Sequence, residues 1–252
     1  MPYVQINDMA MFYEKMGAGE ALIFLHSHDS RGILAFASQM LDFQKLYTCY
    51  FPDFRGHGRT RCNSLDWSTP GHADDIIGFM DQLAIRRAHF IGYSSGANVG
   101  LYLAVEHSHR VASLTTIGTG GTCEPDGVEQ FEPEWLIKHN QHDTINQMIE
   151  RHEEAHRGDW QQFMRQSALD WRLYPQLTEE QLRSISCPAL FITGEHDPYA
   201  GEDKVRRLSS LVADSMYHVV KNGSHRPHMV REYPVQVNDQ ILQYLSNIGQ
   251  AR

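Results

Sequence analysis

The pentapeptide Gly-Tyr-Ser-Ser-Gly at residues 92–96 constrains the fold more than any other segment of this chain. It follows a short apolar run, residues 88–91, of the kind that a buried parallel strand supplies. It precedes residues 97–105, which continue as a helix that is apolar on almost all sides. A G-x-S-x-G segment between a strand and a helix predicts a nucleophile elbow, a strained turn that exposes one serine hydroxyl. Ser94 is the serine at the centre of this pattern, and a glycine-rich turn without chemistry is the alternative.

Apolar runs recur along the chain at intervals typical of strands that alternate with helices. Seven strands are predicted, at residues 9–14, 21–25, 47–51, 89–93, 111–117, 189–193 and 216–220. Helical stretches, among them residues 33–44 and 73–83, separate several of these strands. The alternation predicts an α/β fold in which helices cover both faces of a mostly parallel sheet.

One interval is much longer than the others. About seventy residues lie between 117 and 189, far more than one crossover helix needs. Apolar side chains recur at helical spacing within this interval, and Thr178 with Gln181 forms a capping-box signature near its end. We therefore predict an inserted α-helical cap, or lid, over residues 121–180, and a core domain formed by residues 1–120 and 181–252.

Composition excludes several classes of function. The formal net charge of −9 argues against nucleic-acid binding, which calls for a basic surface. No run of 18 apolar residues is present, and the N-terminal segment lacks the basic and apolar regions of a secretory signal, so we predict a cytoplasmic protein without a membrane partner. The four cysteines are scattered and lack the spacing of a metal site, which indicates packing thiols. The sequence shows no heptad pattern, so it does not indicate an oligomeric state.

A serine in a nucleophile elbow needs a base, and the base needs an acid that orients it. Asp197 directly follows the predicted strand at 189–193. His225 lies in a glycine-bounded loop after the strand at 216–220. Either residue alone would be an ordinary loop residue, but serine, aspartate and histidine here come in the order of a known triad, each just after a strand. We predict Ser94 as the nucleophile, His225 as the general base and Asp197 as the residue that orients it, with no cofactor.

These motifs identify the chain as resembling the α/β-hydrolase superfamily over essentially its whole length. Residues 53–60, Asp-Phe-Arg-Gly-His-Gly-Arg-Thr, are similar to the D-x-R-G-H-G-x-S loop that follows the fourth strand of that family. The resemblance implies an α/β-hydrolase fold with an eight-stranded sheet and an inserted cap. Within the superfamily the chain resembles the small capped carboxylesterases and enol-lactonases, which implies that a small carboxylic ester or lactone is the substrate.

One loop departs from the family pattern. After the third strand the family normally shows His-Gly, whereas this chain has His26, Ser27 and His28. The resemblance implies an oxyanion hole formed by the backbone N–H groups of Ser95 and His28. Ser27 would restrict the backbone if this position requires a positive φ. Either the His28 side chain turns toward the substrate, or the loop only bends differently.

A cap that closes over the strand ends must present part of its apolar face to the substrate pocket. The candidate pocket residues are His26, Ser27, Tyr93, Trp135, Trp160 and Trp171. For the aromatic residues of the cap, packing within the cap itself is the alternative. A largely apolar pocket would suit a small ester or lactone.

Residues 152–156 form a literal H-E-x-x-H motif, in which two histidines one helical turn apart bind zinc. Crowding by charged neighbours and the lack of a recognisable third ligand favour a chance match, so we predict no metal site. A zinc hydrolase that uses His152 and His156 remains an alternative. So does a ligand-binding or receptor-like protein on the same fold with little turnover.

Overall fold

A central sheet of eight strands is the main element of the computed structural model, which describes residues 2–123 and 125–250. The strands are β1 (Tyr3–Ile6), β2 (Met9–Met16), β3 (Glu20–Leu25), β4 (Tyr47–Pro52), β5 (Ala88–Tyr93), β6 (Val111–Ile117), β7 (Ala189–Gly194) and β8 (Ser215–Val220). Their order is β1-β2-β4-β3-β5-β6-β7-β8. The β1–β2 and β2–β4 pairs are antiparallel and the other pairs are parallel. The predicted fold class is thereby confirmed. Strand β1 was missing from the seven predicted strands because it is short and mostly not buried.

Ten α-helices connect and cover the strands in the described part of the chain. They are α1 (Gly32–Ala35), α2 (Met40–Phe43), α3 (Thr69–Gln82), α4 (Ser95–Glu106), α5 (Pro133–Lys138), α6 (His142–His156), α7 (Trp160–Leu173), α8 (Glu179–Arg183), α9 (Glu202–Leu211) and α10 (Pro234–Gln250). Short 3-10 helices span Ser108–Arg110 and Val128–Phe131. None of the described helices is both long enough and apolar enough to cross a bilayer. The cytoplasmic location stays a prediction.

The helix predicted over residues 33–44 is wrong as one element, because α1 and α2 are separate four-residue helices. Gln39 lies between them and is completely buried. Its amide donates hydrogen bonds to the carbonyl oxygen of His228, at 2.9 Å, and to Oδ1 of Asn238, at 2.8 Å. These contacts with the C-terminal part of the chain override the local helical periodicity.

Apolar side chains fill the space on both faces of the sheet. Helices α3, α4 and α9 contribute to the cluster on one face, and α1, α2 and α10 contribute to the cluster on the other. Every residue of β5, β6 and β7 is buried, as expected for parallel strands covered on both sides. The loops that follow β3, β5, β7 and β8 therefore leave the sheet at the carboxyl ends of parallel strands, which is where ligands bind in α/β proteins.

Helices α5, α6 and α7, which we call the cap helices, lie between β6 and β7 in sequence. They fall within residues 121–180, and α8 begins at the capping box of Thr178 and Gln181. The cap helices share a small apolar cluster with one residue of the core, made of Trp67, Leu136, Ile145, Met148, Phe163 and Met164. The division of the chain into a core and a cap domain stays a prediction.

Candidate active site

Ser94 occupies the sharp turn between β5 and α4. Its backbone has φ 53° and ψ −119°, a strained conformation that a side chain rarely adopts. The Ser94 N–H donates to the carbonyl oxygen of Ile117 at 2.8 Å, which fixes the turn to β6. A Cβ atom on Gly96 would lie 2.1 Å from the carbonyl oxygen of Leu25, so only glycine allows α4 to start this close to β3. This is the geometry of a nucleophile elbow.

His225 lies between Ser94 and Asp197 and contacts both. Its Nε2 atom is 3.1 Å from Ser94 Oγ, and its Nδ1 atom is 2.9 Å from Asp197 Oδ2. Because an ionised carboxylate only accepts hydrogen bonds, Nδ1 carries a proton and Nε2 of the neutral ring offers its lone pair to the serine hydroxyl. The three residues follow β5, β7 and β8, and the fold brings them together as the sequence order suggested.

Asp197 is held in place by backbone donors as well as by His225. Its side chain is fully buried, and Oδ1 accepts the N–H groups of Tyr199 at 2.9 Å and Ala200 at 3.0 Å. Burial by itself would raise the pKa of the Asp197 carboxyl, but the hydrogen bond from His225 and those from the two backbone donors hold this pKa below its ordinary value. The carboxylate therefore remains ionised and oriented toward Nδ1 of His225.

The His225 ring is confined by its neighbours. The rings of Tyr93 and Tyr199 lie 5.3 Å and 5.0 Å from it, measured between centroids. The loop before it is anchored by Glu232, whose carboxylate accepts the hydroxyl of Ser224 at 2.9 Å and its N–H at 3.2 Å. This confinement leaves the imidazole few orientations other than the one that reaches Ser94.

Two backbone N–H groups, one in the loop after β3 and one at the start of α4, have no acceptor within the described structure. Among the described residues, no hydrogen bond is formed by the N–H of Ser95 or by that of His28. Ser27 does not adopt a positive φ, so the concern that it strains this loop does not apply. Its hydroxyl instead donates to Asp29 Oδ1 at 2.6 Å. The loop after β3 is therefore stabilised by its own side chains, and both N–H groups remain available to an oxyanion.

A cavity of about 400 Å³ opens over Ser94 and is bounded by the core loops and the cap helices. Of the predicted pocket residues, Ser27, Tyr93 and Trp171 line it. Apolar side chains on the cap side are Phe131, Met148, Phe163, Met164 and Trp171. Polar side chains lie on both sides: Ser94 and His225 line the core side, and the cap helices contribute Thr144, Gln147, Arg151 and Ser167.

The other three predicted pocket residues do not line the cavity. His26 is completely buried beneath the loop, where Nδ1 donates to the carbonyl oxygen of Ser27 and Nε2 accepts the N–H of Phe54. Trp135 and Trp160 pack against the apolar cluster of the cap helices. These two tryptophans therefore pack within the cap, which was the alternative to lining the pocket. The sequence did not predict this, because helical periodicity does not distinguish the face toward the cavity from the face toward a neighbouring helix.

Sequence reasoning missed three polar residues around the cavity. Arg151 of α6 and Arg226, next to His225, line it directly. Asp170 of α7 hydrogen-bonds the lining residue His28. One signal was present for Asp170, because it lies seven residues after Phe163 and thus on the same buried face of the helix. A carboxylate on the apolar face of an amphipathic helix needs a partner.

The H-E-x-x-H segment forms part of the packed interior and does not present two free nitrogen ligands. His152 Nδ1 accepts the N–H of Gly58 at 2.9 Å. His156 Nδ1 accepts the N–H of Gly158, and its Nε2 contacts the carbonyl oxygen of Ile149 at 3.1 Å. Of the four ring nitrogens of these two histidines, only His152 Nε2 lacks a hydrogen-bond partner in the described structure, and the His152 ring stacks on Phe163. Three of the four nitrogens are therefore used by the protein itself.

Among the described residues, Asp74, Glu106 and His107 form the one group of three metal-ligating side chains whose ligand atoms lie within 4.8 Å of one another. Both carboxylates are exposed to solvent. A surface group of this kind is common without a bound ion, and it shares no residue with the cavity. The cavity itself thus offers the chemistry of a serine, histidines and backbone donors.

Comparison with known proteins shows the family to which the sequence of this chain is similar. The sequence model of the alpha/beta hydrolase family matches residues 22–240. The putative carbamate hydrolase RutD of Caulobacter sp. (strain K31) is 25% identical over 234 residues, which cover 83% of this chain and 85% of that protein. The uncharacterized carboxylesterase nap of Bacillus subtilis (strain 168) is 25% identical over 223 residues, covering 81% and 72%.

Solved structures with the same fold include two esterase-like enzymes. The enol-lactonase from Burkholderia xenovorans LB400 has a TM-score of 0.79 at 21% identity, covering 97% of this chain and 100% of that one. A thermophilic esterase from Thermogutta terrifontis, with malate bound, has a TM-score of 0.80 at 19% identity, covering 98% and 99%. At these identities the likeness establishes the fold over nearly the whole of each chain.

Proposed function

The chain belongs to the alpha/beta hydrolase family, and from this premise we propose that it is a serine hydrolase that cleaves a small carboxylic ester or lactone. The observation that carries the proposal is the continuous line of hydrogen bonds from Ser94 Oγ through His225 to Asp197, at 3.1 Å and 2.9 Å. A hydroxyl, an imidazole and a buried carboxylate in this arrangement are sufficient for acyl transfer.

In the proposed mechanism Ser94 Oγ attacks the carbonyl carbon of the substrate while its proton passes to His225 Nε2. The N–H groups of Ser95 and His28 donate to the oxygen that becomes negative. Asp197 accepts the hydrogen bond that His225 Nδ1–H donates, and its negative charge stabilises the imidazolium. His225 then returns the proton to the leaving group, and the Ser94 acyl-enzyme is hydrolysed by a water that His225 activates.

The size and lining of the cavity support a small substrate. A volume of about 400 Å³ lies at the lower end of the range for small-molecule sites. The relatives are called carbamate hydrolase, carboxylesterase, enol-lactonase and esterase, and these names share hydrolysis of an acyl compound at its carbonyl group. Apolar cap side chains would hold the carbon chain of the substrate, while the reacting carbonyl meets the polar core loops.

The decisive experiment measures hydrolysis of p-nitrophenyl acetate and butyrate by the wild type, Ser94→Ala and Ser95→Ala, each with and without a chelator. Ser95→Ala is the matched control, because it removes a neighbouring hydroxyl and keeps the backbone N–H. We expect Ser94→Ala to lose activity by a factor on the order of 10⁴–10⁶, Ser95→Ala to remain active and the chelator to have no effect. Activity that persists in Ser94→Ala would refute the proposal, and if the chelator abolished it, the zinc alternative would replace it.

A ligand-binding protein with little turnover is separated from an enzyme by covalent labelling. A fluorophosphonate probe followed by intact-mass measurement reports whether Ser94 is nucleophilic, whatever the substrate. Labelling of Ser94 together with turnover of either ester supports the hydrolase. Labelling without turnover of any ester or lactone in a panel favours the binding role.

A further inference from the structure

A second histidine–carboxylate pair lies at the cavity, apart from that of His225 and Asp197. His28 Nε2 is 2.8 Å from Asp170 Oδ2, although 142 positions separate the two residues in sequence. His28 belongs to the loop after β3, whereas Asp170 belongs to cap helix α7. The His28 side chain is 19% exposed and lines the cavity, while that of Asp170 is only 1% exposed. The pair thus joins a buried anion to a ring that the substrate can reach.

The Asp170 carboxylate also accepts two hydrogen bonds from Thr69, the first residue of α3. Its Oδ1 accepts the N–H of Thr69 at 2.7 Å, and its Oδ2 accepts the Thr69 hydroxyl at 2.7 Å. Burial would raise the pKa of the Asp170 carboxyl, but the hydrogen bonds that His28 and Thr69 donate to it hold this pKa below its ordinary value. The carboxylate is therefore an acceptor only, and the proton of the His28 ring is fixed on Nε2.

The other ring nitrogen is left for a ligand. His28 Nδ1 forms no hydrogen bond with any side chain or backbone group that the structure describes. With Nε2 committed to Asp170, Nδ1 of the neutral ring is a hydrogen-bond acceptor. An acceptor held in this way at the wall of the cavity, with no hydrogen-bond donor from the described protein, favours a substrate that brings a donor to it.

The order of the strands places His28 and His225 on different sides of the reaction centre. Strand β3 adjoins β5 on one side, while β6, β7 and β8 follow β5 on the other. Ser94 follows β5, so the loop of His28 approaches it from the β3 side and the loop of His225 from the β8 side. His225 contacts the hydroxyl of Ser94. Because His28 lies on the other side of Ser94, we expect it to contact a different part of the substrate.

We propose that His28 Nδ1 accepts a hydrogen bond from a hydroxyl group that the substrate carries close to its scissile carbonyl, and that Asp170 is the positioning residue that fixes the ring for this contact. The proposal rests on the proposed ester or lactone hydrolysis and adds a hydroxyl to the substrate class. His28 acts as a specificity-determining residue, because its side chain distinguishes a hydroxyl from a methyl ether at the same position.

The test compares pairs of esters that differ only in this group. One pair, ethyl lactate and ethyl 2-methoxypropionate, differs on the acyl side. The other, 2-hydroxyethyl and 2-methoxyethyl butyrate, differs on the alcohol side. For the wild type we expect kcat/KM to favour the hydroxyl compound by about 3- to 10-fold in one of the two pairs, the effect of one neutral hydrogen bond. The ratio within a pair is measured on one preparation, so it does not depend on how much of a variant is folded.

Two variants assign the preference to the pair. Asp170→Asn keeps the acceptor for the Thr69 N–H but presents an amide N–H to His28 Nε2, which moves the ring proton to Nδ1. Nδ1 then becomes a donor, and we expect the preference to disappear or to reverse toward the methoxy compound. His28→Leu removes both nitrogens and should bring the ratio near one. Asp143→Asn, an exposed carboxylate on cap helix α6, is the control and should keep the wild-type ratio.

Each outcome bears on a separate claim. If the wild type hydrolyses p-nitrophenyl acetate but prefers the hydroxyl compound in neither pair, the role of His28 is refuted while the serine mechanism stands. A preference that survives in both His28→Leu and Asp170→Asn also refutes it. If the wild type hydrolyses no ester or lactone at all, the proposed function fails before this inference is reached.

Discussion

The backbone N–H of His196 donates to the carbonyl oxygen of Gly223 at 2.8 Å, which ties the loop after β7 to the loop after β8. A second hydrogen bond between the two loops runs from the backbone N–H of Asn222 to the side-chain Oε2 of Glu195, also at 2.8 Å. Asp197 lies one residue after His196, and His225 lies two residues after Gly223. Their spacing is therefore set by the core of the molecule, and the cap helices contribute mainly to the surroundings of the substrate.

Replacing Asp197 by asparagine should inactivate the enzyme without unfolding it. The asparagine carbonyl still accepts the N–H groups of Tyr199 and Ala200, but its amide donates to His225 Nδ1 and forces the ring proton onto Nε2. In that tautomer the ring is unable to take the serine proton, so we expect kcat to fall by about 10⁴-fold. Asp203→Asn, at an exposed carboxylate on α9, is the control. Equal kcat values for the two variants in p-nitrophenyl ester hydrolysis would contradict this role.

Replacing Gly118 by alanine should lower kcat, because the new side chain would press on the His225 ring. It has φ 71°, and a Cβ atom there would lie 2.9 Å from Cε1 of His225. Gly127 has φ 81° but open space around it, so it provides a matched control for backbone strain alone. We expect Gly118→Ala and Gly127→Ala to lose about 1–2 kcal/mol of unfolding free energy each. Only Gly118→Ala should also lose at least about tenfold in kcat, measured on folded protein. Similar kcat values for both variants would show that the His225 ring tolerates the contact.

Arg151 should favour substrates with a negative charge away from the scissile bond. It lines the cavity, and its guanidinium contacts two neutral acceptors at 2.8 Å, the carbonyl oxygen of Asp29 and the side chain of Gln147. We expect Arg151→Met to raise KM for a hemisuccinate ester about tenfold more than for the neutral butyrate ester. Arg165→Met, whose guanidinium pairs with a glutamate on α5, is the control because Arg165 does not line the cavity. Parallel changes in KM for both esters would remove Arg151 from substrate selection.

Buried histidines should make the protein less stable in acid. Burial, reinforced by neighbouring histidines, lowers the pKa of His26 and of His72 to about 3 and that of His57 and His152 well below its ordinary value. The folded state therefore binds fewer protons than the unfolded state below about pH 6.5. The free energy of unfolding should be largest above that pH and should fall as the pH drops toward about 3, by up to about 1.4 kcal/mol per pH unit for each histidine.

Urea unfolding at several pH values between 8 and 5 tests this dependence. His72→Gln should reduce the slope of the unfolding free energy against pH by about one proton, because it removes one buried ionisable ring. His109→Gln, at an exposed position, should leave the slope unchanged. A slope that is the same in all three proteins would show that His72 takes up no proton on unfolding.

Local sequence was sufficient for the features that depend on one turn or one strand end. The elbow at Ser94 was predictable because the glycines beside it remove the Cβ atoms that would collide there, and this requirement is written in five consecutive residues. The meeting of Ser94, Asp197 and His225 was predictable because each follows a strand, and parallel strands bring their carboxyl ends to one edge of the sheet. The helices between β6 and β7 were predictable from length and periodicity.

Only the tertiary structure decided which side chains meet across the cavity. Asp170 contacts His28 across 142 positions and Thr69 across 101 positions of the sequence, separations at which periodicity carries no information. For the same reason Trp171 faces the cavity while Trp135 and Trp160 pack on the cap's own cluster, although all three are aromatic residues of predicted helices. The sequence thus determined the fold and the position of Ser94 in its turn, and packing determined the shape and polarity of the cavity above it.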